Sequence, residues 1–326
     1  MELNVREWLK QLRTEWGQNP RRAPLYAFYV PYLGMWYSVT SRYPVGTNVY
    51  DKDWDVLVVL DACRTDSLRQ LSDEYDFLAE IDSVRSVGSQ SGEWIANTFR
   101  EDRLDDVENT VMVTANGFAR RILADRRFPP FSNNPPVQAA QWTPVYGSDF
   151  EDLQFVWEDH HDPDLGVVPP RVVTDYAIEA ARETQPERLV VHYLQPHRPY
   201  IADAAAAGRR TTEVEREGYE VLERGEASRD EIYSMYMDNL RYVLDDVELL
   251  LENVDAETVA ITADHGESFG EGFAYGHPEG FLHPVVKRVP WVETTAADTG
   301  SYTPEISAHE DLETDIESHL QDLGYM

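Results

Sequence analysis

A single cysteine in 326 residues rules out an intrachain disulfide, so Cys63 staples nothing and no redox compartment can be read from pairing. Lysine is almost as scarce. Only Lys10, Lys52 and Lys287 stand among 28 basic residues, against 60 acidic ones, for a formal charge of −32. The acidic side chains are spread along the chain instead of gathered in a tail, which suggests a halophilic protein kept soluble in concentrated salt, where the Debye length falls to about 3 Å at 1 M. Such a field repels polyanions and excludes a general affinity for nucleic acid. A membrane-spanning run is also missing. The aromatic stretch APLYAFYVPYLGMWYSV at 24–40 is interrupted by Pro31 and falls short of the roughly 20 residues needed to cross a bilayer. The opening MELNVREWLKQLRTEW is an amphipathic helix pattern without a signal-peptide core, so the expectation is a cytoplasmic protein. The aromatic arm is read first as packing on the main domain and second as peripheral contact with a membrane surface, since Arg21 and Arg22 precede it.

What is present is an alternation. Four short apolar runs, Val56–Leu60, Thr110–Thr114, Leu189–Tyr193 and Val259–Thr262, have the composition of parallel strands covered on both faces. Helix patterns fall between them at Trp94–Phe99, Val172–Glu183 and Asp230–Glu252; in the last, Ile232, Tyr236, Leu240, Val243 and Val247 recur at three- and four-residue spacing. This predicts a doubly wound, mostly parallel α/β sheet flanked by helices, with its site outside the carboxyl ends of the strands. Residues 1–48 read as an N-terminal helix and aromatic arm, and 49–326 as one catalytic domain with insertions near 128–154 and 202–228.

Each apolar run ends in polar groups. The first delivers DACRTD with Asp61 and Arg64, the second Asn116, the third LQPHRPY with His197, and the fourth Asp264 and His265. Two carboxylates and a neutral imidazole suit a borderline divalent ion such as zinc or manganese. The segment SVRSVGSQSGEWIANTF places Ser89 and Ser91 just before a helix pattern, where free N–H groups favour an anion and where a serine next to a metal can serve as nucleophile. Arg64 is a candidate for a substrate oxygen, although pairing with a neighbouring carboxylate is the commoner fate of such an arginine. Asn116 is placed to contact substrate, although Asn-Gly is foremost a turn signal.

In this order along the chain, DVLVVLDACRTD, GSQSGEW, HYLQPHRPY and TADHGESFGEGFAYGH resemble the metal-dependent alkaline phosphatase superfamily. More narrowly they resemble its sulfatase-like branch, which includes phosphoethanolamine and phosphoglycerol transferases. The resemblance implies that Asp61, Asp264 and His265 bind the metal, and that His197 and His277 face the substrate or a second metal. It puts Ser89 where the transferases have a threonine that is both nucleophile and ligand; Ser91 competes for that role and Ser89 is preferred, with Ser91 then at the substrate. His277 would protonate the leaving oxygen. The implied activity is hydrolysis or transfer on phosphate esters or diesters through a covalent phosphoserine, with a phosphorylated small molecule, glycan or lipid-linked compound as substrate. Two departures stand out. Serine replaces threonine, and Cys63 is followed by Thr65 and Ser67 where formylglycine formation needs Pro or Ala and then Arg. The alternatives are a sulfuric-ester hydrolase without formylglycine and a non-catalytic binding protein.

Overall fold

The structure is a computed structural model that describes residues 2–306 apart from Asn19, Arg21, Arg22 and Ser132. The Arg21–Arg22 pair read beside the aromatic arm therefore lies outside the described residues. Two helices lead, α1 (Val5–Gln18) and α2 (Ala23–Thr40). Next come β1 (Val56–Leu60), β2 (Ile81–Arg85), α3 (Ser91–Thr98), β3 (Thr110–Thr114), α4 (Gly117–Leu123) and β4 (Asp152–Phe155). The second half adds α5 (Pro170–Thr184), β5 (Arg188–Tyr193), α6 (Arg229–Leu251), β6 (Ala256–Thr262) and β7 (Arg288–Ala296). One seven-stranded sheet runs in the order β2-β7-β6-β1-β5-β3-β4. From β6 to β4 all neighbours are parallel, and β7 is antiparallel to both β6 and β2.

The sheet is doubly wound because β1 has two apolar faces. Alternate side chains of a strand point to opposite sides. Val56, Val58 and Leu60 join a core with Ile178 of α5 and Leu240 and Val243 of α6. Leu57 and Val59 join a second core with Trp94 and Ile95 of α3 and Phe118 and Ile122 of α4. Each fully buried side chain of this kind contributes roughly 1.5–3 kcal/mol relative to exposure, which fixes the register that brings the strand ends level.

Three strands lie outside the four apolar runs, and each has a reason to be quiet in sequence. β2 and β4 are sheet edges with half-exposed, charged sequences, IDSVR and DLQF. β7 contains Pro290 and Glu293, yet it sits between β2 and β6, where Thr262 Oγ1 donates to Pro290 O at 2.7 Å. The stretch read as an insertion up to residue 154 thus ends inside a strand of the main sheet. Pro31 does not interrupt the aromatic arm either: α2 runs through it, held by buried Val30, Leu33 and Tyr37. The 202–228 segment folds as three short helices, Ala202–Ala207, Glu213–Glu217 and Tyr219–Arg224.

Candidate active site

Asp61 follows the last residue of β1, and its N–H donates to Tyr193 O of β5 at 3.2 Å. The chain then passes through Ala62 at φ 61°, a left-handed conformation that costs a non-glycine residue about 1–3 kcal/mol. Two contacts hold it there: Asp264 Oδ1 accepts from Ala62 N–H at 3.1 Å, and the Tyr236 hydroxyl donates to Ala62 O at 2.9 Å. Because β1 and β6 are parallel neighbours, Asp264 and His265 arrive beside Asp61. His265 Nε2 lies 3.5 Å from Asp61 Oδ1 and 3.3 Å from Asp264 Oδ2.

Two acceptors of this cluster meet no donor. All three side chains are fully buried, and Asp61 Oδ1 and Asp264 Oδ2 lack a hydrogen-bond partner. His265 Nδ1 is 3.0 Å from Gly266 O, so that nitrogen carries the proton and Nε2 turns a lone pair toward two carboxylate oxygens. Burial pushes the imidazole down to about 4, against the pull of Asp264, so it is neutral at pH 7. Burial, reinforced by the Asp264 charge, drives the Asp61 carboxyl well above the usual carboxylate range. A divalent cation relieves all three effects at once, and two oxygens with one imidazole nitrogen are a fitting donor set.

The two serines of the nucleophile turn point to different partners. Ser91, the first residue of α3, places Oγ 3.3 Å from Asp61 Oδ2 and 3.3 Å from His265 Nε2. Ser89, preferred on sequence for both the nucleophile and ligand roles, is engaged elsewhere: its hydroxyl donates to Glu93 Oε2 at 2.8 Å and accepts from Gly280 N–H at 2.8 Å. The cause is Gln90. It is extended at φ −158° and ψ 161° and caps α3 by accepting from Gly92 N–H, so the chain changes direction between the two serines.

A second cluster lies alongside. His197, Glu267 and His277 offer ligand atoms within 4.8 Å of one another. His277 Nδ1 is 3.3 Å from each Glu267 carboxylate oxygen, and His197 Nδ1 donates to Arg198 O at 2.6 Å. The His265 and His277 rings are 4.2 Å apart at their centroids, and those of His197 and His277 5.1 Å. Burial, then the neighbouring His277, pushes His197 well below its ordinary value.

Two sequence candidates turn inward. Arg64 is no free anion binder: Nε and Nη2 donate to Asp66 at 2.9 and 2.7 Å, and Nη1 to Glu267 O and Glu271 Oε1 at 3.1 and 2.9 Å. It braces the loop that carries Glu267, and those bonds hold Glu271 down to about 2 although burial opposes this. Asn116 caps α4 by accepting from Phe118 N–H at 2.8 Å, and its Nδ2 donates to Asp61 Oδ2 at 2.6 Å. Both ends of its side-chain amide are thus engaged within the protein, one on the helix end and one on Asp61. Two residues were missed. Glu267 lies in the quoted TADHGES segment, three positions after Asp264, where an acid could have been singled out. His192 reads in sequence as a core histidine, yet it offers a nitrogen within 4.8 Å of Asp61 and Asp264, packs edge-on against Trp94, and has no hydrogen-bond partner at either nitrogen. Its signal is a polar residue within a fully buried parallel strand.

Compared with known families, the chain matches the Sulfatase model over residues 106–316, more than half its length. That range includes His192, His197, Asp264, His265 and His277 but neither Asp61 nor Ser91. No curated protein matches. Among solved structures it is similar to the soluble domain of lipooligosaccharide phosphoethanolamine transferase A from Neisseria meningitidis, at 18% identity over 74% of this chain and 75% of that one, TM-score 0.43. It is also similar to the C-terminal periplasmic domain of phosphoethanolamine transferase EptC from Campylobacter jejuni, at 14% identity over 74% and 78%, TM-score 0.45. A 2-O GAG sulfatase is similar at 11% identity over 82% and 70%, TM-score 0.36.

Proposed function

The chain belongs to the sulfatase family, in the sulfatase-like branch of the alkaline phosphatase superfamily, and is an enzyme on phosphate or sulfate esters; on that premise we propose a metal-dependent phosphoester hydrolase or transferase that works through a phosphoserine on Ser91. The observation that carries this reading is Ser91 Oγ at 3.3 Å from both Asp61 Oδ2 and His265 Nε2. Enzymes of this family use divalent metals. A zinc or manganese ion held by Asp61, Asp264, His265 and Ser91 would supply positive charge that lowers a hydroxyl pKa and polarises a phosphoryl oxygen.

The chain's own residues do the rest. Asn116 and Ala62 N–H fix the two carboxylates, so the ligands are in place before substrate arrives. The Ser91 hydroxyl gives up its proton to solvent, Oγ bonds to phosphorus, and the bond from phosphorus to the alcohol oxygen breaks. His277, oriented by Glu267, donates a proton to that departing oxygen, a contribution typically of about 10²–10⁴-fold. Water or an acceptor alcohol then attacks phosphorus and frees Ser91. The substrate class is a phosphorylated small molecule, glycan or lipid-linked ester. Cys63 supports phosphate over sulfate: it is buried in the apolar core and burial pushes its thiol up, so no cysteine-derived aldehyde faces the site.

The test is hydrolysis of p-nitrophenyl phosphate, bis-p-nitrophenyl phosphate and p-nitrophenyl sulfate with zinc or manganese in high salt. Ser91→Ala should abolish turnover and the phosphoryl adduct on the Ser91 peptide, whereas Ser89→Ala retains both. An active Ser91→Ala enzyme, or a preference for the sulfate, contradicts the proposal.

A further inference from the structure

Helix α2 is apolar on both sides. One side packs inward through Val30, Leu33 and Tyr37. On the opposite side Leu25, Phe28, Met35 and Val39 are 71, 80, 65 and 51% exposed. At 100° per residue these four fall within one quadrant of the helix, a stripe about 21 Å long at 1.5 Å per residue. Leu3 and Trp16 of the same N-terminal region are exposed as well. An outward apolar stripe on a helix already buried along its inner side has no role in folding, and a contiguous patch of this kind marks an interaction surface.

Charge says what covers it. Residues 1–43 carry six basic side chains and three acidic ones, whereas the remaining 283 carry 22 basic and 57 acidic. The N-terminal region is thus net positive on a protein otherwise strongly negative. On α1 the cations are gathered: Arg6, Lys10 and Arg13 recur at four- and three-residue spacing and share one shallow depression with Leu9 and Thr14. The two helices are tied together by Tyr26, whose hydroxyl donates to Gln11 Oε1 at 2.9 Å. A second copy of the chain would bring like charges together at this face, cation on cation. An anionic bilayer complements it instead, with lipid headgroups at the cations and acyl chains at the stripe. No described helix is long and apolar enough to cross a membrane.

We propose that the α1–α2 hairpin docks the protein on an anionic lipid surface, with Phe28 and Met35 inserted and Arg6, Lys10 and Arg13 at the headgroups. This does not depend on the catalytic reading. It does place the surface next to the site, because the same helix reaches the loop after His277: Tyr29 and Tyr32 hydroxyls donate to Glu279 O and Gly280 O at 2.7 Å each. Trp36 Nε1 donates to Glu93 Oε1 at 2.9 Å, and Glu93 in turn holds Ser89.

The experiment is co-sedimentation of the full chain with vesicles of phosphatidylcholine alone or mixed with phosphatidylglycerol, at low salt and at 1 M salt, alongside light scattering for oligomeric state. Binding to the mixed vesicles is expected, at least about tenfold weaker with Phe28→Asp/Met35→Asp at both salts. Arg6→Glu/Lys10→Glu/Arg13→Glu should weaken it by a similar factor at low salt and much less at 1 M, where screening removes the charge contribution. All substituted residues are exposed, and an unchanged melting temperature checks that the variants fold. Failure to bind either vesicle, binding indifferent to both variants, or a dimer that Phe28→Asp/Met35→Asp converts to monomer would each overturn the proposal, the last by assigning the stripe to a second copy.

Discussion

The two clusters at the sheet edge differ in how they meet their own charge. Around Glu267, each carboxylate oxygen faces His277 Nδ1, a group that can donate. Around Asp61 and Asp264, the facing group is a neutral imidazole lone pair, and one oxygen of each acid is buried without a partner. The fold does bury a cation nearby, but on another target: Lys287 Nζ donates to Gly88 O at 2.8 Å, beside Glu93. Two adjacent buried carboxylates, each with an oxygen that meets no donor, are the arrangement that the proposed cation would neutralise.

The sharpest way to break this contrast is Asp264→Asn. The Asn Oδ1 still accepts from Ala62 and His265 N–H groups, so the backbone is kept while a charge is lost. Activity should fall by about 10⁴-fold or more. The metal-free variant should nonetheless melt above metal-free wild type, because repulsion with Asp61 is gone, and added metal should no longer raise its melting temperature. A variant that melts lower without metal would show that the pair is not in conflict. His277→Ala comes next. It should cost about 10²–10⁴-fold with a poor leaving group and far less with p-nitrophenolate, which needs no proton; equal losses on both would remove His277 from that role.

Lys287→Met probes the third acid and has the smallest effect. Burial holds this lysine down to about 8 from 10.5, with Glu93 opposing. The folded state therefore binds fewer protons than the unfolded state between those values, and wild-type stability should rise through that window. At 1.36 kcal/mol per unit the gain is about 2 kcal/mol from pH 8 to 10. Above pH 10 the trend should reverse, because burial raises Tyr37 and Tyr236 and the unfolded tyrosines ionise first. Urea midpoints across pH 7–10 should show the rise in wild type and its absence in Lys287→Met; parallel curves would contradict the assignment.

The parts of the molecule legible in sequence were those fixed by local pattern. Buried parallel strands announce themselves as apolar runs, and the polar residues within a few positions of each run fall on the shared edge, where Asp61, Asp264, His265 and His197 lie. Edge strands such as Ile81–Arg85 carry no such run because water covers part of them. Ser89 and Ser91 could not be told apart, since a single extended residue, Gln90, decides which hydroxyl faces the acids. Arg64 and Asn116 were seen as polar groups near the right strand ends. Their partners, Glu271 and Asp61, are set by tertiary contacts between distant segments.

The proposed cation lies between Asp61, Asp264, His265 and Ser91. Anomalous diffraction at the zinc edge from crystals grown with zinc tests it most directly. A peak is expected within about 2.5 Å of Asp61 Oδ1, Asp264 Oδ2 and His265 Nε2. A fully occupied peak among His197, Glu267 and His277 with none beside Asp61 would contradict it.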